Sequence, residues 1–307
     1  MLRTAVLSLV LSTPAFAEVP KVMTDIAPIQ SLVARVMQGV GTPDVLLPPG
    51  ASPHDFAMRP SDAERLAQAD LIIWMGHGLT PWLEEPVETL APEAAKLELL
   101  DTSGWVVLPL RTDPAFAQAD HEATDDEADH DRSGSDPHAW LDPSNAAAFM
   151  TLIAQALATA DPDNAATYVA NADAAGSEMA NLKAETLASL APFAGGTYIV
   201  PHDAYQYFET AFGMPAAGAI SLTDASTPGP SRVAELQDTV ASRAIICVLT
   251  DPQTSPEWTG VLREGSIAKT AFVDPDGGSQ AAGLDRLEDL YPGIIRQIAA
   301  GLAECLG

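Results

Sequence analysis

Short apolar runs alternate with helical patterns along most of the chain, and this alternation predicts βα units with largely parallel sheets. Each predicted strand is short, is rich in Val, Ile and Leu and is followed by turn or helix-start residues. The predicted strands are Val19–Met23, Val45–Leu47, Leu71–Met75, Thr197–Val200, Ala217–Ile220, Ala244–Leu249 and Ala271–Val273.

Start and stop signals place helices between these strands. Thr24 and Asp25 can cap a helix that runs to Gly39, Ser61 and Glu64 form a capping box for a helix that ends near Asp70, and Asp142 can cap Ser144–Ala160. The helices predicted in the second half are Ala204–Phe212, Ser231–Ala241, Trp258–Glu264 and Leu284–Ala303.

One long helical pattern separates the two alternating halves. It opens at Asp161-Pro162, and one face repeats at a spacing of about 3.6 residues. That face comprises Tyr168, Ala172, Ala175, Met179, Leu182, Thr186 and Leu190. The sequence therefore predicts an α/β protein with two Rossmann-like lobes, residues 18–160 and 192–307, joined by a connecting helix over 161–191.

Two segments fall outside this plan. Residues 1–17 combine Arg3, an apolar run and an Ala-Phe-Ala cleavage signal, which is typical of a secretory signal peptide and predicts export to the periplasm. Residues 113–136 hold few large apolar side chains, many acids and the histidines His121 and His130. That composition predicts a disordered or mobile acidic loop in the first lobe.

Charge and cysteine content narrow the choice of partners. The formal net charge is −27. A surface this acidic repels nucleic acid and anionic lipid and attracts cations. The alternative is that the acidity only keeps the protein in solution. The chain lacks the G-x-x-x-x-G-K-[ST] phosphate loop and cannot drive transport by itself. In an oxidising compartment Cys247 and Cys305 are a candidate disulfide, with two buried thiols as the alternative.

Three histidines and one aspartate follow predicted strands or precede predicted helices. Residues at the carboxyl ends of parallel strands face the crevice where open α/β sheets bind ligands. Three imidazoles and one carboxylate suit tetrahedral zinc. Read singly, each histidine could instead be a loop residue bonded to backbone or could orient its helix, and the aspartate could cap a turn. The residues concerned are His54, His138, His202 and Asp274.

Further side chains near these positions are weaker candidates. Asp203 and Asp142 could accept hydrogen bonds from ligand imidazoles or cap helices. His77 could approach the cleft or occupy a turn between two glycines. His121 and His130, among carboxylates, are candidates for a weak second metal site.

Three motifs resemble those of a known family: LLPPGASPHDFAMRPSDAERLAQADLIIWMG, DPHAWLDP and VPHDAYQYF. They occur in this order, and the acidic loop precedes the second motif. From Val19 to Gly307 the chain resembles the ZnuA-type periplasmic solute-binding proteins of zinc-importing ABC transporters. The resemblance implies that His54, His138 and His202 bind zinc, with Asp274 or water as the fourth ligand. It also implies a disulfide between Cys247 and Cys305.

The same resemblance implies partners and alternatives. Manganese-type relatives tend to carry a carboxylate at the position of His202, and a third imidazole favours zinc. The expected role is capture of periplasmic zinc by a monomer, which delivers it to a membrane permease with a separate ATPase. A periplasmic metallochaperone is a candidate donor. Because imidazoles bind metal when neutral, affinity should fall below about pH 6.5.

Three alternative functions stay open at this point: uptake of manganese or another divalent metal, an exported zinc hydrolase, and a structural or adhesin-like metal protein. A hydrolase would need a metal-bound water beside a general base, and the chain has no H-E-x-x-H motif. An enzyme is therefore not expected.

Overall fold

A computed structural model describes residues 19–111, 116, 134–222, 229–242, 244–263, 266–281 and 283–307. The predicted signal peptide and most of the acidic loop, with His121 and His130, lie outside the described residues.

The first half of the chain forms a four-stranded parallel sheet in the order β2-β1-β3-β4. We call this sheet and its helices the N-terminal lobe. Its strands are β1 (Val22–Thr24), β2 (Asp44–Val45), β3 (Leu71–Trp74) and β4 (Ala95–Glu98).

The second half repeats this arrangement as a four-stranded parallel sheet in the order β6-β5-β7-β8. This sheet and its helices are the C-terminal lobe. Its strands are β5 (Tyr198–His202), β6 (Ala219–Ser221), β7 (Cys247–Thr250) and β8 (Lys269–Phe272). The predicted α/β class with two parallel sheets is confirmed.

Helices cover the sheets and connect the lobes. They are α1 (Ala27–Val36), α2 (Pro60–Leu66), α3 (Glu84–Leu90), α4 (Pro143–Ala160), α5 (Ala165–Leu190), α6 (Gln206–Phe212), α7 (Pro230–Ser242), α8 (Pro256–Arg263), α9 (Gly278–Ala281) and α10 (Leu290–Leu306). Within the described ranges, no helix is both long and apolar enough to cross a bilayer.

The long helix α5 buries the face that the sequence predicts, from Tyr168 to Leu190. It packs against α4, α1 and α10. One hydrophobic cluster runs through both lobes and includes Ile29 of α1, Phe149 of α4 and Ile295 of α10. Because a shared core resists shear between its parts, the two lobes are held as near-rigid neighbours on their helical side.

Two predicted helix caps are wrong. Asp25 does not cap α1, whose N-cap is Ile26; its carboxylate instead accepts the N–H groups of Ile26 and Met75. The helix after the first histidine motif begins at Pro60 with Arg59 as N-cap, so Ser61 is not its cap. Proline fits the first helical position because its missing N–H is not needed there.

Two elements were missed because their sequences are not strongly apolar. Strand β4 reads AKLE and is half exposed, as an edge strand often is. Helix α3 reads EEPVETL and buries Val87 alone. The disulfide between Cys247 on β7 and Cys305 on α10 is present and ties the last helix to a central strand.

Candidate metal centre

His138 is held by its own chain segment. It lies just before the short 3-10 turn Ala139–Leu141 that leads into α4, and it is 5% exposed. The carboxylate of Asp136 accepts the backbone N–H of His138 at 2.9 Å and lies 2.8 Å from the ring Nδ1. With Nδ1 as the donor to this carboxylate, Nε2 is the nitrogen that carries the lone pair.

His202 is held by its sheet. It is the last residue of β5 and is 3% exposed. Its Nδ1 lies 2.9 Å from the carboxylate of Asp251, which directly follows the neighbouring strand β7. An imidazole whose far nitrogen donates to a carboxylate is fixed in tautomer and orientation, as metal-binding histidines usually are.

His54 approaches His138 from a loop. Ser52 Oγ accepts its backbone N–H at 3.1 Å, and its Nε2 lies 3.2 Å from Nε2 of His138. Two nitrogens bound at about 2.0 to 2.1 Å to one tetrahedral zinc ion lie roughly 3.3 Å apart. The ring centroids of His138 and His202 are 5.8 Å apart. His138 therefore lies beside both other imidazoles, and we call the three side chains the imidazole row.

In the described part of the chain, no set of three or more His, Cys, Asp or Glu side chains surrounds one common ion position.

Asp274 lies in a turn two residues beyond β8 and is 1% exposed. Its Oδ1 accepts the N–H groups of Asp276 and Gly277, and its Oδ2 accepts that of Ser279 at 2.7 Å. The carboxylate therefore organises its own turn, as the capping alternative supposed. A carboxylate offers about four acceptor sites, so these three bonds leave Oδ2 with the capacity to bind an ion.

The turn that carries Asp274 also contacts the N-terminal lobe. The indole N–H of Trp140 donates to the carbonyl of Pro275 at 3.1 Å. Trp140 is two residues beyond His138, and the two rings lie 5.3 Å apart by centroid. This contact joins the residue next to Asp274 to the segment that carries His138.

The weaker candidates have other partners. His77 is 61% exposed and its Nδ1 lies 2.7 Å from Glu84. Asp142 caps α4 through Ser144 N and binds Lys183. Asp203 binds Arg111.

Two supporting carboxylates were missed by sequence reasoning. Asp136 precedes His138 by two residues within SDPH, a spacing that lets one carboxylate bind both the backbone N–H and the ring, and that signal could have been read. Asp251 directly follows a strand, as the chosen residues do, but its pairing with His202 requires the strand order.

Buried acids crowd this region. Burial raises the pKa of Asp136 to about 7 against the opposing effects of hydrogen bonding and Arg111. Burial likewise raises the pKa of Asp203 to about 7, opposed by Arg111. Burial also acts to raise the pKa of Asp251, but the hydrogen bond from His202 and its charge outweigh that effect and lower it.

Comparison with protein families accounts for nearly the whole chain. Residues 22–305 match the family model ZnuA, described as zinc-uptake complex component A, periplasmic. The chain belongs to this family.

The most similar relatives include two high-affinity zinc uptake system proteins. The ZnuA protein of Paracoccus denitrificans is 39% identical, with 96% of this chain and 94% of the relative covered. That of Brucella abortus is 34% identical, with 93% and 91% covered.

Solved structures show the same fold. A crystal structure of ZnuA matches with a TM-score of 0.78 at 20% identity and covers 94% of this chain and 100% of its own. The periplasmic zinc-binding protein TroA of Treponema pallidum matches with a TM-score of 0.76 at 20% identity, covering 94% and 99%.

Proposed function

We propose that this protein captures zinc in the periplasm and delivers it to the permease of an ABC importer that a separate ATPase drives. The observation that carries the proposal is the pair of Nε2 atoms of His54 and His138, 3.2 Å apart, with His202 beside His138. The high-affinity zinc uptake relatives support the choice of metal and pathway.

The donor set favours zinc over harder ions. Neutral imidazole suits zinc, whereas carboxylate and water oxygens suit manganese and magnesium. His138 and His202 each have a carboxylate partner on Nδ1, which raises the basicity of the other ring nitrogen. We propose Asp274 as the fourth ligand, so that no site for an activated water is needed.

Delivery requires that the ion can leave again. In this proposal residues 1–17 direct export, the mature protein acts as a monomer, and a periplasmic metallochaperone could load it. Because the lobes share a core on their helical side, we expect release to involve local movement of the loops that bear ligands, with small changes in lobe orientation.

The test is a zinc titration of metal-free protein in competition with a chelator. His54→Ala, His138→Ala and His202→Ala should each lose affinity by more than the roughly 10- to 100-fold that follows removal of a group supporting a ligand. His77→Ala is the matched control, because this exposed histidine pairs with Glu84 outside the row. Circular dichroism should show the metal-free variants folded.

Other outcomes would point to other functions. Retention of tight zinc binding in all three variants would exclude the proposed site. Tighter binding of manganese than zinc under the same conditions would favour the manganese alternative. Unfolding on metal removal would favour a structural metal protein, and hydrolysis of test esters by the zinc form would favour a hydrolase.

A further inference from the structure

The turn Asp274–Ser279 touches both histidine-bearing segments of the N-terminal lobe. Pro275 accepts a hydrogen bond from Trp140, beside His138. At Gly278 the turn meets Pro49 and Gly50, in the segment that leads to His54. The turn thus links the C-terminal lobe to the segments that carry His54 and His138.

The contact at Gly278 is made by backbone on both sides. A Cβ atom at Gly278 would lie 2.7 Å from the backbone nitrogen of Gly50 and 3.2 Å from Cα of Pro49. Gly50 itself has φ 80°, a conformation that L-residues rarely adopt. Since neither partner atom belongs to a flexible side chain, a methyl group at Gly278 must move one segment away from the other.

Such a movement would be passed to Asp274. The carboxylate accepts the N–H groups on both sides of Gly278, from Gly277 at 2.9 Å and from Ser279 at 2.7 Å. These bonds make the turn and the carboxylate one unit. Displacement of Gly278 from Gly50 therefore displaces Asp274 from the loop that carries His54.

We propose that Gly278 is a positioning residue for the metal centre: its missing side chain lets the Asp274 turn close against the Pro49–Gly50 segment, so that Asp274 and His54 reach one ion. This inference rests on the proposed function. A larger residue leaves a shell of three imidazoles in which water replaces the carboxylate, with weaker binding and faster release.

The experiment is a double-mutant cycle. We compare wild type, Gly278→Ala, Asp274→Ala and the double variant for zinc affinity and for zinc dissociation into excess chelator. Gly278→Ala should weaken affinity about tenfold, mainly through faster dissociation, and should add no further loss in the Asp274→Ala background. The cobalt(II) absorption spectrum of Gly278→Ala should shift toward that of Asp274→Ala, because both change the same ligand position.

Gly176→Ala in α5 and Gly260→Ala in α8 are the controls, since no heavy atom lies within 4 Å of an added Cβ at either position. Both should bind zinc as wild type does. If Gly278→Ala fails to fold, Trp140→Phe replaces it in the same cycle, because it removes the donor to Pro275 and keeps an aromatic ring near His138.

The outcomes separate this inference from the function on which it rests. Zinc binding by wild type, with unchanged affinity in Gly278→Ala or with a loss that persists fully in the Asp274→Ala background, would overturn the positioning role alone. Unchanged affinity in Asp274→Ala would do the same and leave the three histidines standing. Absence of tight zinc binding in wild type would overturn the proposed function itself.

Discussion

The two lobes contribute to the candidate metal centre in different ways. In the C-terminal lobe, His202 ends β5, Asp251 directly follows β7 and Asp274 lies two residues beyond β8. In the N-terminal lobe, His54 lies in a loop well beyond the end of β2, and His138 lies far along the chain from the end of β4, just before α4. The same βα construction thus presents side chains from strand ends in one lobe and from loops in the other.

We therefore divide the centre into two halves. In the sheet half, strand pairing sets the position of His202 and its partner Asp251. In the loop half, local contacts set the positions of His54 and His138. Strand pairing fixes His202 relative to Asp251. The loop of His54 depends on single bonds, such as that from the indole of Trp82 to the carbonyl of Pro53 at 2.8 Å. Loss of the carboxylate that supports His202 should therefore affect binding less than loss of the carboxylate that supports His138.

Removal of the disulfide should give the largest effect on stability. Cys247 on β7 and Cys305 on α10 enclose a sequence separation of 58 residues, for which the chain-entropy model gives about 4 kcal/mol. We expect the double variant Cys247→Ala/Cys305→Ala to lose roughly that free energy of unfolding in a urea titration, with zinc affinity within a few-fold of wild type. A loss under about 1 kcal/mol would show that the sheet half does not depend on this bond.

Removal of the carboxylates that support the imidazoles should distinguish the two halves directly. Loss of such a group typically lowers metal affinity by roughly 10- to 100-fold. The loss of zinc affinity in Asp136→Asn should lie near the upper end of this range. His138 lies in a loop, and this carboxylate binds both its backbone N–H and its ring. The loss of zinc affinity in Asp251→Asn should lie near the lower end, because His202 is still held in place as the last residue of β5.

Zinc titration of both variants measures this order. Asp173→Asn is the matched control, because Asp173 is an exposed residue of α5. The reverse order would contradict the division into sheet and loop halves.

Sequence reasoning recovered the layers of the fold well. The buried strands and the buried face of α5 carry strong periodic signals, because burial on the core requires apolar side chains at fixed spacing. Strand β4 and helix α3 carry weak signals because they bury little. The choice of N-caps at Ile26 and Arg59 depended on backbone conformation, which composition does not reveal.

At the candidate site, the sequence indicated the three histidines through their position near strand ends and through motif resemblance. It did not indicate the contact between Gly278 and Gly50, or the bond from Trp140 to Pro275. Both contacts join residues far apart in the chain, and they follow from how the lobes pack on their shared core. The pairing of Asp251 with His202 was missed for the same reason.

The next prediction concerns Asp25, which adjoins the sheet of the N-terminal lobe. This carboxylate follows β1, is fully buried and accepts N–H groups of Ile26 and Met75. Burial raises its pKa to about 6, although the hydrogen bonds oppose the shift. The folded state therefore holds the proton more tightly than the unfolded state, so this group's contribution to stability is greatest at low pH and is lost as pH rises toward 6.

The measurement compares wild type with Asp25→Asn, both metal-free, by urea unfolding at pH 4 and pH 7. Relative to the variant, wild type should gain about 2 kcal/mol on going from pH 7 to pH 4. A difference between the two proteins that does not change with pH would show that Asp25 titrates as an ordinary exposed carboxyl group.

The smallest expected effect separates a helix cap from a group that supports the metal centre. Asp142 lies four residues beyond His138, but its carboxylate accepts Ser144 N at 2.8 Å and binds Lys183 at 2.9 Å. Asp142→Ala should lower the free energy of unfolding by about 1 kcal/mol through loss of the N-cap. Its zinc affinity should stay within about twofold of wild type, in contrast to Asp136→Asn, because Asp136 already occupies Nδ1 of His138. A tenfold loss of affinity in Asp142→Ala would mean that the loop half of the centre also relies on the start of α4.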